Sequence, residues 1–405
     1  MLKRYFLNNK KRNFSTASIW IKGGSDMDST GKKGINKILC SLLTRGCEGF
    51  NNFTLSEYIE SYGAELNQEI FEDGISISIK SLNEHFSKLF PLLDLIINKP
   101  ILSETEFKKV KKSSIDHIKK DKENPFNICF EKWRKIVYSN HPYAFNTIGN
   151  ANDVSKITYE DVLLEFKNLK NREKYLISNN PEINGENFGT LEKKILKEKS
   201  DPLNHNLNTT NRFDYINNDS NQTIIMMGDQ TCSRRSSEYF PLKVLESYLS
   251  YGMSAALFKL FREKHGITYD LGVYYPIRSG NAPFLIYLSV SNEQALFAFE
   301  LLSTLWKNLL FNPLTDAEIF LAKEKLKGSF LLGNQSLDEI LQRKIQLVSY
   351  GISPISENDL NSKIEEISSL DILKLTNKYF SKPFLSISGN KNICLEISNR
   401  WKKNF

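Results

Sequence analysis

Histidine and cysteine are the side chains of this 405-residue chain best suited to metal binding or nucleophilic catalysis. The closest of its five histidines, His117 and His141, are 24 residues apart. Two imidazoles that ligate one ion from a helix must lie four residues apart, so no helical zinc pair exists. The five cysteines are scattered outside any Cys-x-x-Cys pair, at Cys40, Cys47, Cys129, Cys232 and Cys394. The sequence therefore predicts neither a thiolate zinc site nor a disulfide framework, and it fits a reducing compartment.

Arg262 and Tyr269 form a second candidate site, on either side of a predicted helix end at Gly266. A guanidinium and a phenol both donate hydrogen bonds to oxygen acceptors. A purely structural interpretation is also open. A basic residue near a helix C-terminus complements the helix dipole, and tyrosine is common at the start of a strand.

Composition limits the class of protein. The chain is 40% hydrophobic and 25% charged, as in globular proteins, and its length is enough for two cores. The net charge of +7 includes no basic tail, so we expect no nucleic-acid partner. Apolar stretches such as residues 89–97 are too short to span a bilayer, and no apolar run follows the basic residues 1–11. We therefore expect no signal peptide, no membrane partner and a cytoplasmic location.

The elements that must position these residues occur twice. Residues 15–180 predict a strand, a helix, a strand, further helices and a closing strand, and residues 222–390 repeat that order. The matched strands are predicted at 17–21 and 223–227, 75–79 and 284–290, and 174–178 and 384–388. The matched helices are predicted at 35–44 and 242–263, and at 84–97 and 293–309.

The predicted helix starts also support a duplication. Ser103 with Glu106, and Thr315 with Glu318, have the spacing of a capping box, in which each side chain satisfies the other's backbone N–H. We predict an α+β protein of two duplicated halves, each a mostly antiparallel sheet backed by helices. The predicted domains are residues 1–182 and 221–405. The polar stretch of residues 183–220 is predicted to be the interdomain linker.

Three stretches resemble the pitrilysin/insulinase metallopeptidase family. They are Gly34 to Gly46 with Gly63 and Asn67, His141-Pro142-Tyr143 with Gly149, and Gly252-Met253-Ser254 with Arg262-Glu263, Gly266 and Tyr269. The third matches the family pattern most specifically. The resemblance implies a clamshell-like α+β fold and covers nearly the whole chain.

The zinc residues of that family are missing here. Its inverted His-x-x-Glu-His motif and its distal Glu fall on Lys37, Cys40, Ser41 and His117, so all four positions differ. The resemblance implies that this chain binds no metal or other cofactor of its own. A site improvised from Cys40 and His117 would require both to face one cavity, and it lacks an obvious third ligand.

The family's Arg and Tyr pair is retained at Arg262 and Tyr269, where the resemblance implies hydrogen bonds to the substrate backbone near the zinc. Some family members are two-chain enzymes in which one chain binds zinc and the other supplies this pair. We therefore predict a non-catalytic, substrate-positioning subunit of a heterodimeric zinc metalloendopeptidase acting on peptides or small unfolded polypeptides. Its partner would be a homologous subunit with an intact zinc motif. The alternatives are a peptidase-derived scaffold and a homodimeric peptide-binding protein, neither with a proteolytic role.

Overall fold

The computed structural model of the chain describes residues 2–7, 13–183, 186–187, 211–332, 336–352 and 357–405. The strands in these ranges are β1 Leu2–Phe6, β2 Phe14–Lys22, β3 Glu65–Ile70, β4 Gly74–Leu82, β5 Lys174–Ser178, β6 Glu186–Asn187, β7 Phe213–Asn217, β8 Gln222–Gln230, β9 Asp270–Tyr274, β10 Pro283–Ser291 and β11 Phe384–Gly389. The α-helices are α1 Ile35–Leu43, α2 Asn52–Ser61, α3 Asn83–Leu89, α4 Pro91–Asn98, α5 Glu104–Asp121, α6 Pro125–Tyr138, α7 Ala151–Lys156, α8 Tyr159–Lys170, α9 Tyr239–Ser250, α10 Ala295–Phe311, α11 Asp316–Leu332, α12 Leu337–Ser349, α13 Glu357–Glu365, α14 Ser369–Phe380 and α15 Lys391–Asn404.

The strands form two sheets, and each sheet is the centre of one compact unit. The first sheet has the order β3-β4-β2-β5-β1-β6 and the second has the order β7-β11-β8-β10-β9. Read from its other edge, the second order matches the first five strands of the first sheet one by one. Pairing is antiparallel except where β1 joins β5 and β6, and where β7 joins β11. The predicted α+β duplication is therefore confirmed.

Local capping explains why matched helices begin where they do. Thr158 and Asp161 form a reciprocal capping box at the start of α8, and Ser368 and Asp371 form the same box at the start of α14. Each box satisfies backbone N–H groups that the first helical turn cannot. These two helices lead into β5 and β11, the closing strands predicted for each half. None of the described helices has the length and apolar character needed to cross a lipid bilayer.

Two predicted helices are divided in the structure. The helix predicted at 84–97 is α3 followed by α4, because Pro91 begins a new helix and has no N–H to donate. The helix predicted at 242–263 ends with α9 at Ser250, and a separate π-helix, Phe258–Lys264, follows. Between them Gly252 has a φ of +73°, in the left-handed region that favours glycine. Arg262 consequently lies on a short π-helix of its own.

Each compact unit includes one helix from the other half of the sequence. In the first unit, α12 packs on the first sheet, with Leu341 buried in a cluster that contains Trp20. The Thr16 hydroxyl also donates to the Asp338 carboxylate at 2.8 Å. In the second unit, α6 packs on the second sheet, where the Ser386 hydroxyl donates to the carbonyl of Cys129 at 3.0 Å. The predicted range 1–182 therefore lacks α12 and β6 of the first unit, and the predicted range 221–405 lacks α6 and β7 of the second.

The predicted linker, residues 183–220, is only partly described. Residues 184–185 and 188–210 lie outside the described residues. Phe213–Asn217 within it forms β7, which pairs in parallel with β11. A short strand in a polar stretch is hard to recognise from composition, because its partner is about 170 residues away along the chain and supplies most of its stabilisation.

Candidate functional site

Helix α1 carries three of the four positions that correspond to the zinc motif. Seven of its nine side chains are buried, and the two that are not are Lys37 and Ser41. Residues four apart share one face of an α-helix, so these two side chains define the face of α1 that is not covered by core. The remaining position, His117, lies on α5 and is exposed.

The start of α1 is fixed by a close backbone approach. Gly34, which precedes the helix, has a φ of +102°, and its N–H donates to the Asp28 carboxylate at 2.7 Å. Burial raises the pKa of Asp28 to about 6, although hydrogen bonds from Gly34 and Asn36 oppose the increase. A Cβ atom on Gly149 would lie 2.1 Å from the carbonyl oxygen of Lys33. Gly34 and Gly149, which come from separate sequence motifs, therefore lie in close backbone contact at the start of α1.

Three of the four corresponding positions line one cavity of about 180 Å³ in the first unit. They are Lys37, Ser41 and His117, and Arg45 joins them. Cys40 does not line this cavity. Its side chain is fully buried in the core beside α1, and burial raises the pKa of its thiol to about 12. The structure therefore does not bring Cys40 and His117 to a shared metal position.

The side chains of this cavity do not fit a zinc ion. Zinc in proteins is held by thiolate, imidazole and carboxylate ligands, and the His117 imidazole is the one such group in this lining. The other polar groups are an ammonium, a guanidinium and three hydroxyls, which donate hydrogen bonds. Among the described residues no group of three or more His, Cys, Asp or Glu side chains is arranged to hold a metal ion.

Several cavity residues were not singled out from the sequence: Arg45, Ser113 and Ser114. Arg45 follows Lys37 and Ser41 at the same four-residue spacing, so helical periodicity could have indicated it. The Arg45 guanidinium donates to the Glu106 carboxylate at 2.9 Å. Hydrogen bonds from Lys109 and then Arg45 lower the pKa of Glu106 below its ordinary value. Ser113 and Ser114 lie on α5 and have no such signal, because only the packing of α5 beside α1 places them here.

Arg262 and Tyr269 lie together in the second unit. The Arg262 guanidinium carbon is 4.5 Å from the centre of the Tyr269 ring and 4.6 Å from the centre of the Phe258 ring. Tyr269 is 78% exposed, so its phenol is available to an external ligand. None of the described residues forms a hydrogen bond or an ion pair with the Arg262 guanidinium. The predicted pair is thus exposed, adjacent and stacked.

The local backbone explains how Arg262 and Tyr269 meet. Gly266, with a φ of +61°, ends the π-helix, and its N–H donates to the carbonyl of Arg262 at 3.1 Å. Tyr269 directly precedes β9, the edge strand of the second sheet. Phe258, which the sequence analysis did not single out, lies four residues before Arg262 and forms the second aromatic face of the stack. Contact of this kind restricts the guanidinium while its N–H groups can still donate hydrogen bonds.

Zinc affinity should be recoverable from three substitutions. We expect the combination Lys37→His, Ser41→His and His117→Glu to bind zinc with a dissociation constant near or below about 1 μM, or about 8 kcal/mol. The reason is that all three side chains line one cavity. Cys40 stays unchanged, because a glutamate there would bury a carboxylate in the core. Calorimetric titration with zinc measures the effect, and Lys37→His alone is the control. A folded triple variant with no gain over that control would contradict this placement of the site.

Family comparisons agree with the two-unit fold. Residues 4–151 match the family model described as Insulinase (Peptidase family M16), and residues 182–326 match the model described as Peptidase M16 inactive domain. An uncharacterized zinc protease of Rickettsia felis is 23% identical over 370 residues, covering 89% of this chain and 88% of that protein. An uncharacterized zinc protease of Bacillus subtilis is 22% identical over 412 residues, covering 96% of this chain and 99% of that protein.

A solved structure also has the same fold. The crystal structure of a peptidase M16 inactive domain from Pseudomonas fluorescens matches with a TM-score of 0.80 at 19% identity. The match covers 96% of this chain and 95% of the other. Because two models of the same family together match residues 4–151 and 182–326, the chain belongs to the insulinase peptidase family, M16.

Proposed function

We propose that this chain is a non-catalytic, substrate-positioning subunit of a heterodimeric zinc metalloendopeptidase that acts on peptides or small unfolded polypeptides. The observation that carries the proposal is the exposed, stacked pair of Arg262 and Tyr269. The positions of the degenerate zinc motif support it, because only Cys40 and His117 are zinc-ligand types, and Cys40 is buried outside the cavity that His117 lines. The zinc ion and the general base would come from a homologous partner with an intact motif.

Within such a complex, this chain's own residues would hold the substrate. The Arg262 guanidinium presents several N–H donors in a fixed plane, and the Tyr269 phenol presents one more. Both can bind a peptide carbonyl oxygen, and their hydrogen bonds strengthen when that oxygen becomes negatively charged. Neither group competes for a metal ion. The pair therefore suits carbonyl positioning and not hydrolysis by itself.

Reconstitution tests this proposal. The chain is mixed with the homologue from the same organism that has an intact His-x-x-Glu-His motif, and cleavage of a fluorogenic peptide is measured. We expect at least about a tenfold increase over the homologue alone, because the two added donors act only in the complex. The chain alone should give no chelator-sensitive cleavage. A complex that forms and gains no activity would favour a peptidase-derived scaffold.

A further inference from the structure

The cavity beside α1 has an unusual set of polar side chains. Six of its eight lining residues can donate a hydrogen bond from the side chain, and none of the eight is a carboxylate. The six donors are Lys37, Ser41, Arg45, Ser113, Ser114 and His117. Such a lining favours a ligand that accepts hydrogen bonds, and it disfavours a cation.

The two cationic side chains of this cavity differ in their partners. Arg45 is already paired with Glu106 at 2.9 Å, so part of its charge is compensated. Lys37 is half-buried, and none of the described residues makes a salt bridge or a hydrogen bond with its ammonium group. A partly desolvated ammonium gains most from an anion that approaches closely. The excess positive charge of the cavity is therefore centred on Lys37.

The size of the cavity limits what can bind there. About 180 Å³ holds a small charged group with a few ordered waters, whereas sites for drug-sized ligands are about 300–1,000 Å³. A carboxylate has two oxygens and about four acceptor positions, which the Lys37 ammonium and the nearby hydroxyl groups can satisfy together.

We propose that this cavity, the Lys37 cavity, binds a carboxylate group. The carboxylate can come from a peptide, as its C-terminus or an acidic side chain, or from a free small acid. The peptide source rests on the proposed substrate-positioning function, but the cavity's preference for a carboxylate does not. The position that corresponds to a metal-binding motif would thus have changed from holding a cation to holding an anion.

Matched pairs of peptides distinguish the possible sources of the carboxylate. One pair differs only in a free or an amidated C-terminus, and a second pair differs only in an internal glutamate or glutamine. Dissociation constants are measured by fluorescence anisotropy with the chain alone, without any partner or turnover. We expect at least one carboxylate peptide to bind about tenfold more tightly than its match, a factor equal to about 1.4 kcal/mol. If acetate weakens the binding of the peptides and neither pair shows a preference, the cavity binds free acids, and the proposal that its carboxylate comes from a peptide is wrong.

Substitutions place the effect in the cavity. Lys37→Gln should remove the preference for carboxylate, and Ser41→Ala should reduce it a few-fold. Lys112→Gln is the matched control, because it removes the same charge from an exposed residue of α5 that does not line the cavity. Amine acetylation read by mass spectrometry gives a local signal, since bound acetate or peptide should protect Lys37 and not Lys112. Equal labelling of Lys37 with and without saturating acetate and peptide, together with no preference in either pair, would overturn the proposal.

Discussion

Arg262→Ala, in the complex with a zinc-bearing partner, should lower peptide turnover by about 10²–10³-fold, the typical cost of one lost oxyanion donor. Its guanidinium carbon lies 4.6 Å from the centre of the Phe258 ring and 4.5 Å from the centre of the Tyr269 ring, so contact with both rings restricts its position. Binding of substrate should weaken as well, because a guanidinium can hold a carbonyl before charge develops on it.

Tyr269→Phe should have a comparable effect that falls mainly on turnover. The substitution removes one hydroxyl and keeps the ring that stacks on Arg262, so Arg262 stays in place. An interaction made chiefly in the transition state affects kcat more than KM. Steady-state kinetics of the complex separate the two constants for both variants.

Lys264→Ala is a suitable control for the loss of positive charge. Lys264 is exposed on the same π-helix as Arg262 and does not stack on Tyr269. We expect it to behave like the parent chain. If the complex forms and neither Arg262→Ala nor Tyr269→Phe slows it more than about twofold, which is well under 1 kcal/mol, the pair does not position substrate. The scaffold hypothesis would then replace the proposed function.

Trp133→Ala should destabilise the second sheet, although Trp133 belongs to the first half of the sequence. Its side chain is fully buried on α6, which packs on β8 and β11. Loss of a buried tryptophan costs about 3–5 kcal/mol. Leu341→Ala should destabilise the first sheet, although Leu341 belongs to the second half of the sequence, because α12 packs on β2 and β5. The expected cost is about 2–5 kcal/mol.

Hydrogen exchange followed by mass spectrometry measures where each variant opens. Trp133→Ala should release protection in β8 and β11 first, and Leu341→Ala should release it in β2 and β5 first. Lys135→Ala and Glu339→Ala are the matched controls, since both residues are exposed on the same two helices. If each variant instead loosened the sheet of its own sequence half, the exchange of helices between units would be wrong.

The sequence alone determined the features that depend on local interactions. The capping residues Thr315 and Glu318 are three positions apart, so their pattern is visible without the fold, and the predicted reciprocal hydrogen bonds are present. The closing strand β5 was predicted with the bounds that it has, and the order of elements in the two halves was enough to indicate the duplication. The absence of a histidine pair at helical spacing also follows from the sequence alone.

Only the tertiary structure decided which residues share a site. Seven of nine side chains in α1 are buried, and helical spacing alone could not show that Cys40 points into the core while Lys37 and Ser41 face the cavity. The stack of Phe258, Arg262 and Tyr269 depends on the turn at Gly266.

The sequence alone also could not predict that α6 and α12 pack in the unit of the other sequence half, or that β1 and β7 form parallel strands. Their partners lie about 170–320 residues away along the chain, as the pairing of Leu2 with Lys174 and of Thr16 with Asp338 shows. Contacts between such distant residues are selected by the burial of complementary surfaces across the whole fold, and no local pattern encodes that selection.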